Sequence, residues 1–325
     1  ITHDRDFMDK VTTHTLGIHR KKAKKVKGDT IKFYEQIVQE EEAYELTRKN
    51  METKRKEMQS LVDRFRAKAS KASMAQSRLK MMEKMGTMEK LDTEKNLGFR
   101  FNYLSCPGKT LMTIKDLSFS YDSKPENNIF SGLSFSIGSQ DRIGIIGANG
   151  KGKSTLINCL AGELVYSSGS ITKHPSTRLG HFGQTNIDRL DAQNRVIDEI
   201  LRENPSLSLQ AAHSICGAMM FEGDLSKKKV SVLSGGERSR VLLGKIISHP
   251  TNVLLLDEPS HHLDVESIEA LIEELDNYAG ALVIVTHSEL ILKSLAKNLI
   301  IFHQGRSEYF HGGYDHFLEK VGWEG

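Results

Sequence analysis

The stretch Arg142–Thr155, RIGIIGANGKGKST, constrains the fold of this chain more than any other. A short apolar run ends in Gly147-Ala148-Asn149-Gly150-Lys151-Gly152-Lys153-Ser154, and an apolar-periodic segment with Leu156, Ile157 and Leu160 follows. That order predicts strand, glycine loop, helix. Glycines let the backbone turn its N–H groups inward, and the helix N-terminus adds the positive end of its dipole, so the loop is suited to cradling phosphates. In such a loop Lys153 reaches the β- and γ-phosphates and Ser154 holds Mg2+.

A chain of 325 residues has room for roughly two domains. Its net charge of +3 says little about partners, so the distribution of charge matters more. The longest apolar runs, Val253–Leu256, Ala281–Val285 and Leu299–Phe302, suit buried strands and fall far short of a membrane span. Nothing resembles a signal peptide. Cys106, Cys159 and Cys216 match no metal spacing, as expected for reduced thiols in a cytosol. The expectation is a soluble, cytoplasmic protein without a membrane part.

The chain reads as beginning inside a domain. An ungapped shift of 284 positions pairs Ile1-Thr2-His3 with Val285-Thr286-His287, His19 with His303, Gly28 with Gly312, Phe33 with Phe317 and Glu35 with Glu319. A repeat at so long a period suggests two related domains rather than a solenoid. Residues 1–29 are then expected to be the C-terminal remnant of a first nucleotide-binding domain whose body lies upstream.

Residues 20–27 form a basic run, and from Thr30 to Leu91 there is no proline and a single glycine, Gly86. Ile37, Tyr44, Met51, Met58 and Phe65 recur every seven residues and make one helical stripe, whereas Glu40, Thr47 and Lys54 spoil the second seam of a long coiled-coil dimer. Ala72, Ala75, Leu79 and Met82 share a face of a second helical stretch. Residues 30–96 therefore predict an antiparallel helical hairpin, its first helix about 35 residues and about 50 Å long. At its bend Arg64, Arg66, Lys68, Lys71, Arg78 and Lys80 fall in a stretch without an acid. Residues 1–96 carry 23 Lys/Arg against 16 Asp/Glu, which concentrates positive charge on this half. Charge runs are usually solvated faces, but an acid-free one at a projecting tip makes a phosphate-backbone footprint. Residues 97–111, with Gly98, Pro107 and Gly108, read as a connector onto a domain spanning 112–325.

Four further pieces follow the glycine loop in order. Gln184 ends the strand-like 178–183. Leu233-Ser234-Gly235-Gly236-Glu237 opens a helix whose free amides make a second anion cradle. Val253–Leu256 is a buried strand running into Asp257 and Glu258. Ala281–Val285 is another, running into Thr286 and His287. Asp257 can hold Mg2+ through water, Glu258 can polarise an attacking water, His287 can donate to the γ-phosphate, and Gln184 can bridge metal and water. Tyr121, 26 residues before Gly147, is placed to stack on an adenine, although a lone aromatic is more often packing.

The set GANGKGKST, Gln184, LSGGE, LLLDEP, SHHLD at 260–264 and VTHS resembles an ATP-binding cassette ATPase. The resemblance implies an α/β fold: a P-loop cassette domain with a helical signature subdomain, here preceded by the long helical hairpin. It implies ATP and Mg2+, with Tyr121, Gly147, Asn149, Gly150, Gly152, Lys153, Ser154 and Thr155 at the nucleotide. Ser154, Asp257 and Gln184 would stand at the metal, and Glu258, His287 and Gln184 would be catalytic. It also implies that Ser234, Gly235, Gly236 and Glu237 serve the ATP of a facing domain, with Asp264 coupling the two sites.

The finer similarity is to the ABC-F subfamily, which has two such domains in one chain, no membrane part and a basic hairpin between them. Residues 64–80, RFRAKASKASMAQSRLK, are similar to the tip those proteins insert near the peptidyl-tRNA acceptor end from the ribosomal E site. That implies the ribosome, rRNA and tRNA as partners, alongside the first cassette domain. It also implies RNA contacts at Arg64, Arg66, Lys68, Lys71, Arg78 and Lys80. Regulation of translation, rescue of stalled ribosomes and antibiotic protection stay open. Two departures are Ser260-His261-His262, where the subfamily often has Thr-Asn-His, and Lys151 in the loop. Without the first domain's loop, carboxylates and signature, the chain alone should hydrolyse ATP weakly or not at all. The alternatives fit less well. The ATPase half of a membrane transporter leaves the hairpin without a role, and a DNA-repair ATPase carries its arm between loop and signature, which here lie 81 residues apart.

Overall fold

The computed structural model describes residues 5–20, 22–66, 72–86, 88–90, 98–122, 125–261, 263, 265–303 and 306–322. It divides into two compact units, residues 1–94 and 95–325.

The first unit runs α1 (Arg5–Val11), β1 (His14–His19), β2 (Lys22–Lys27), α2 (Thr30–Arg66) and α3 (Ala72–Met85). β1 and β2 form an antiparallel hairpin. Asp9 on α1 accepts from the Thr30 amide at 2.8 Å, while Asp29 accepts from the Lys32 amide at 2.8 Å, which caps the start of α2. The 37 residues of α2 make a rod of about 55 Å. Met58 and Val62 bury against Met82, with Leu79 and Met85 around them. The Arg55 guanidinium donates to the Gly86 carbonyl at 3.3 Å, and the Tyr44 hydroxyl to the Glu89 carbonyl at 3.0 Å. Partners on the return segment climb in number as those on α2 fall, so the helices are antiparallel. Ile37 and Met58 on the seven-residue stripe are buried and Tyr44 and Met51 half-buried, whereas Glu40, Thr47 and Lys54 are exposed.

The second unit begins with β3 (Thr110–Phe119), β4 (Phe130–Gly138) and β5 (Arg142–Gly147), then α4 (Lys153–Ala161), β6 (Ser168–Lys173) and β7 (Leu179–Phe182). A helical group follows: α5 (Gln184–Asp188), α6 (Val196–Glu203), α7 (Leu209–Ala218) and α8 (Gly235–Ile247). The chain then returns to the sheet with β8 (Val253–Asp257), α9 (Val265–Asn277), β9 (Ala281–Val285), α10 (Glu289–Leu295), β10 (Asn298–His303), β11 (Arg306–Phe310) and α11 (Tyr314–Lys320). The main sheet is ordered β11-β10-β5-β9-β8-β7, parallel except for the edge strand β11, and β4-β3-β6 form a separate antiparallel sheet. Because side chains alternate across a strand, β8 sends Leu255 to one face and Leu254 and Leu256 to the other. Leu255 joins Leu156, Ile157 and Leu160 of α4 and the antiparallel sheet in one core. Leu254 and Leu256 join the helical group in the other. The parallel strands are apolar on both faces, as a sheet covered on both sides requires.

The shift of 284 positions is present in three dimensions. α1, β1 and the start of β2 occupy the positions that α10, β10 and the start of β11 take one period later, and α2 begins where α11 does. Gly28 and Gly312 share a left-handed backbone, with φ 137° and 145°. Phe33 and Phe317 are both buried. The copies differ in cover: Leu16 and Ile18 are 69% and 82% exposed, whereas their counterparts Ile300 and Phe302 are buried against β5 and α4.

Three local expectations are adjusted. The stretch read as a connector is built into the second unit: Phe99 and Phe101 are buried, and the Leu104 amide donates to the Thr251 carbonyl at 2.8 Å. β3 also starts at Thr110, two residues before the expected boundary. Gln184 opens α5 rather than ending β7, because Gly183 breaks the strand and precedes the helix. Among the described residues no helix is long and apolar enough to cross a membrane.

Candidate functional site

β5, β7, β8 and β9 are parallel and in register, so their carboxyl ends present Gly147, Gly183, Glu258 and Thr286 along one edge of the sheet. That edge is where open α/β sheets take ligands. The glycine loop leaves β5 with φ 147° at Gly147, 74° at Gly150 and 103° at Gly152. A Cβ on Gly147 would stand 2.5 Å from the Phe302 carbonyl oxygen, and one on Gly152 2.3 Å from Ile129 Cγ2. Both positions thus demand glycine for space as well as conformation. Ala148, Asn149, Gly150 and Lys151 are exposed, and α4 starts with its first amides free of intrahelical partners.

Lys153 is buried, and its ammonium donates to the Gly147 carbonyl at 2.8 Å and the Ala148 carbonyl at 3.1 Å. An ammonium has three donors, so one remains for a phosphate. Burial lowers the Lys153 pKa while the charges of Glu258 and Asp257 oppose the change. Thr155 Oγ1 lies 3.2 Å from the Tyr121 hydroxyl. The Tyr121 ring stands edge-on to Phe119 and is 71% exposed beside the loop.

Asp257 Oδ1 is buried without a hydrogen-bond partner. Burial pushes the Asp257 carboxyl up, against the pull of Ser154 and of the Lys153 charge. A hydroxyl and a carboxylate are the hard oxygen donors Mg2+ prefers, and it commonly takes its other ligands from water and substrate phosphates. The residues present fit that ion.

Glu258 sits at φ 49°, a left-handed backbone that is rare for a side-chain-bearing residue and typical of functional sites. The turn is held by the Glu258 amide, which donates to the Val285 carbonyl at 2.9 Å. Its carboxylate stands 3.5 Å from His287 Nε2 and 3.7 Å from His261 Nε2. Glu258 Oε1 is buried without a hydrogen-bond partner. Burial raises this carboxyl to about 7, with Asp257 adding to the rise and the His287 amide and Lys153 opposing it. His287 is shifted the other way, by burial and then by the charges of Lys153 and His261. The edge therefore holds a cation, two carboxylates and two imidazoles around an unfilled acceptor.

Ser234 caps α8. Its hydroxyl accepts from the Glu237 amide at 3.3 Å, and the Glu237 carboxylate accepts from the Ser234 amide at 2.8 Å. This capping box satisfies two amides and leaves those of Gly235 and Gly236 at an open helix end. Among the described residues no hydrogen bond or ion pair joins 234–237 to the glycine loop. Lys80 is exposed on α3, and Arg64 and Arg66 end α2. The side chains of Gln184, Arg64, Arg66 and Arg78, and the whole of Lys68, Lys71 and Asp264, lie outside the described residues. Two residues not singled out from the sequence also stand here. His261 lay within a recognised motif; His181 carried no spacing signal.

Residues 130–261 match the family described as ABC transporter, and residues 16–101 match an extension with the same description. The chain is 31% identical over 98% of its length to ATP-binding cassette sub-family F member 3 of Mus musculus, covering 45% of that protein. It is 32% identical over 99% of its length to ABC transporter F family member 3 of Arabidopsis thaliana, again covering 45% of it. With the "Probable ATP-binding protein YheS" of Haemophilus influenzae it shares 34% over 96% of its length, covering 49% of that protein. The chain thus spans about half the length of the curated relatives it matches. Among solved structures, a bacterial Atm1-family ABC exporter with ATP bound aligns with a TM-score of 0.57, at 18% identity over 78% of this chain and 46% of that one. The ATP-binding cassette MJ0796, in a dimeric post-hydrolysis state with ADP and Pi, aligns at 0.53 and 18% identity over 61% and 96%. These two likenesses establish the cassette fold. The matched family and the relatives over nearly its whole length show that the chain belongs to sub-family F of the ATP-binding cassette proteins.

Proposed function

We propose that this chain binds ATP with Mg2+ at the edge formed by β5, β8 and β9, and that hydrolysis proceeds with Glu258 as general base. The observation that carries this reading is the buried, unpartnered Glu258 Oε1 beside His287 and within the field of Lys153. The loop amides and Lys153 bind the phosphates, and Tyr121 stacks on the adenine. Ser154 and Asp257 would hold the ion, with Gln184 as a further ligand, and once bound it would neutralise charge on the phosphates. Glu258 orients a water and takes its proton at the free oxygen. A neutral His287 offers an N–H to the γ-phosphate. A carboxyl near 7 suits a base working at neutral pH.

Ser234, Gly235, Gly236 and Glu237 act on the nucleotide of a facing cassette, with Asp264 coupling the sites. The structural repeat of 289–317 in residues 5–33 supports a second cassette in the complete protein, of which residues 1–29 are the last segment. The exposed Leu16 and Ile18 are then the face its body covers. The chain alone should turn over ATP weakly.

The cycle works, in this reading, on the ribosome. Family membership and the six basic residues at the bend of the α2–α3 hairpin support it, with Arg64, Arg66, Lys68, Lys71, Arg78 and Lys80 against rRNA and tRNA backbones. Neutralising Arg64, Arg66, Lys68 and Lys71 together in the complete protein should weaken ribosome binding. It should also flatten the slope of log affinity against log salt by up to about 3, since each phosphate contact contributes about 0.7–0.9. Pelleting assays across a salt series read this out. An unchanged slope would mean that these charges form only a solvated face.

A further inference from the structure

His181 lies on β7, next to β8 in the sheet, with its backbone paired to Leu255. Its Nδ1 is 2.8 Å from Glu163 Oε1, and the other oxygen of Glu163 is 3.1 Å from Arg189 Nη1. The His181 side chain is 10% exposed, and its Nε2 is buried without a hydrogen-bond partner. A carboxylate only accepts, so the short contact to Glu163 puts a proton on Nδ1, and in the neutral ring Nε2 then carries a lone pair. In the neutral form the ring holds one tautomer, with an acceptor out of contact with any donor among the described residues.

Gly183 shows where that acceptor stands. A Cβ on Gly183 would lie 3.2 Å from His181 Nε2 and 3.8 Å from Asp257 Cβ. The missing side chain opens a slot bordered by the imidazole on one side and Asp257 on the other. Asp257 Oδ1 is itself a buried acceptor without a donor. An orphaned buried acceptor costs about 1–3 kcal/mol, and a water donating both its protons satisfies two of them at once. Water polarised by a divalent cation is the stronger donor, and hydrogen bonds from outer groups to a metal's ligands orient those ligands.

We propose that Glu163 and His181 are a positioning pair for the metal site, His181 Nε2 accepting a hydrogen bond from a water of the ion held by Ser154 and Asp257. The inference rests on the nucleotide reading above. Neither residue touches the phosphates. They set the orientation of the ion's water shell, and Glu163 acts only through the ring it orients.

The test uses Mn2+ as the probe, followed by electron paramagnetic resonance in the presence of ATP, with ATP binding in EDTA measured in parallel. His181→Leu should weaken ATP-dependent Mn2+ binding about 10-fold or more while metal-free ATP binding is unchanged. His181→Gln, whose amide oxygen can still accept, should restore it to within about 3-fold. Glu163→Ala, which releases the ring, should fall between the two, and it decides the matter if His181→Leu does not fold. Wild-type Mn2+ affinity in a folded His181→Leu or, failing that, in Glu163→Ala overturns the proposal while leaving the nucleotide site intact. If the unmodified chain binds no ATP, the nucleotide reading fails and this proposal with it.

Discussion

Replacing Glu258 by Gln is expected to lower ATP hydrolysis by the complete protein about 10²–10⁴-fold, the usual contribution of a positioned general base, while ATP still binds. The amide keeps the shape of the side chain but has no anionic oxygen to take the proton of water. The pH profile of the unmodified protein carries the same information. A carboxyl raised to about 7 is mostly protonated below that value, so hydrolysis should rise with pH through 7 and level off above it. In Glu258→Gln the residual rate should lose that rise. Stability follows by linkage. A raised carboxyl pKa means that the folded chain holds its proton more tightly than the unfolded chain. Its stabilising contribution is therefore present at low pH and is lost as pH climbs from about 4.5 to about 7. The ionised form is on the order of 3 kcal/mol less favourable in the folded state. Glu258→Gln should accordingly raise the melting temperature at pH 8 and change it little at pH 5. Wild-type turnover in the variant would remove Glu258 from the base role.

Replacing Lys153 by Met should act one step earlier. Its ammonium is the one side-chain cation that the structure buries within the loop, in the field of Glu258 and Asp257. A charged hydrogen bond contributes about 1.5–3 kcal/mol, and the one left for a phosphate corresponds to about 10–10² in affinity. Met fills the space of the aliphatic stem, so the loss is of charge rather than packing. Titration calorimetry should find ATP binding reduced by about 10- to 100-fold. The two variants are thus expected to separate binding from chemistry: Glu258→Gln binds without turnover, and Lys153→Met does neither. Undiminished ATP affinity in Lys153→Met would place the nucleotide elsewhere.

The elements that carry the site were legible because each is local. A glycine loop between an apolar strand and a periodic helix, an apolar strand ending in Asp257-Glu258, and a serine followed three residues later by Glu237 are short-range patterns with direct physical causes. The repeat at 284 positions was legible for a similar reason: it puts identical residues at matching places, down to the positive φ of Gly28 and Gly312 at one turn. What escaped depends on register across the sheet. His181 acquires its place from the pairing of β7 with β8 and from Glu163, 18 residues earlier. The left-handed backbone of Glu258 arises from a hydrogen bond to Val285 on the neighbouring strand. Phe99 and Phe101 looked like connector because Phe99 packs on Phe101 and Phe101 on Tyr278, which lies far along the chain. Gln184 shifted from strand end to helix start, the one- or two-residue uncertainty that element boundaries carry.

The central claim is that ATP bound at this edge governs a grip on the ribosome. The complete protein carrying Glu258→Gln should be sedimented with ribosomes, with ATP and without nucleotide. The account predicts ATP-dependent retention, abolished when Lys153→Met is added. ATP binding without any ATP-dependent retention would contradict it.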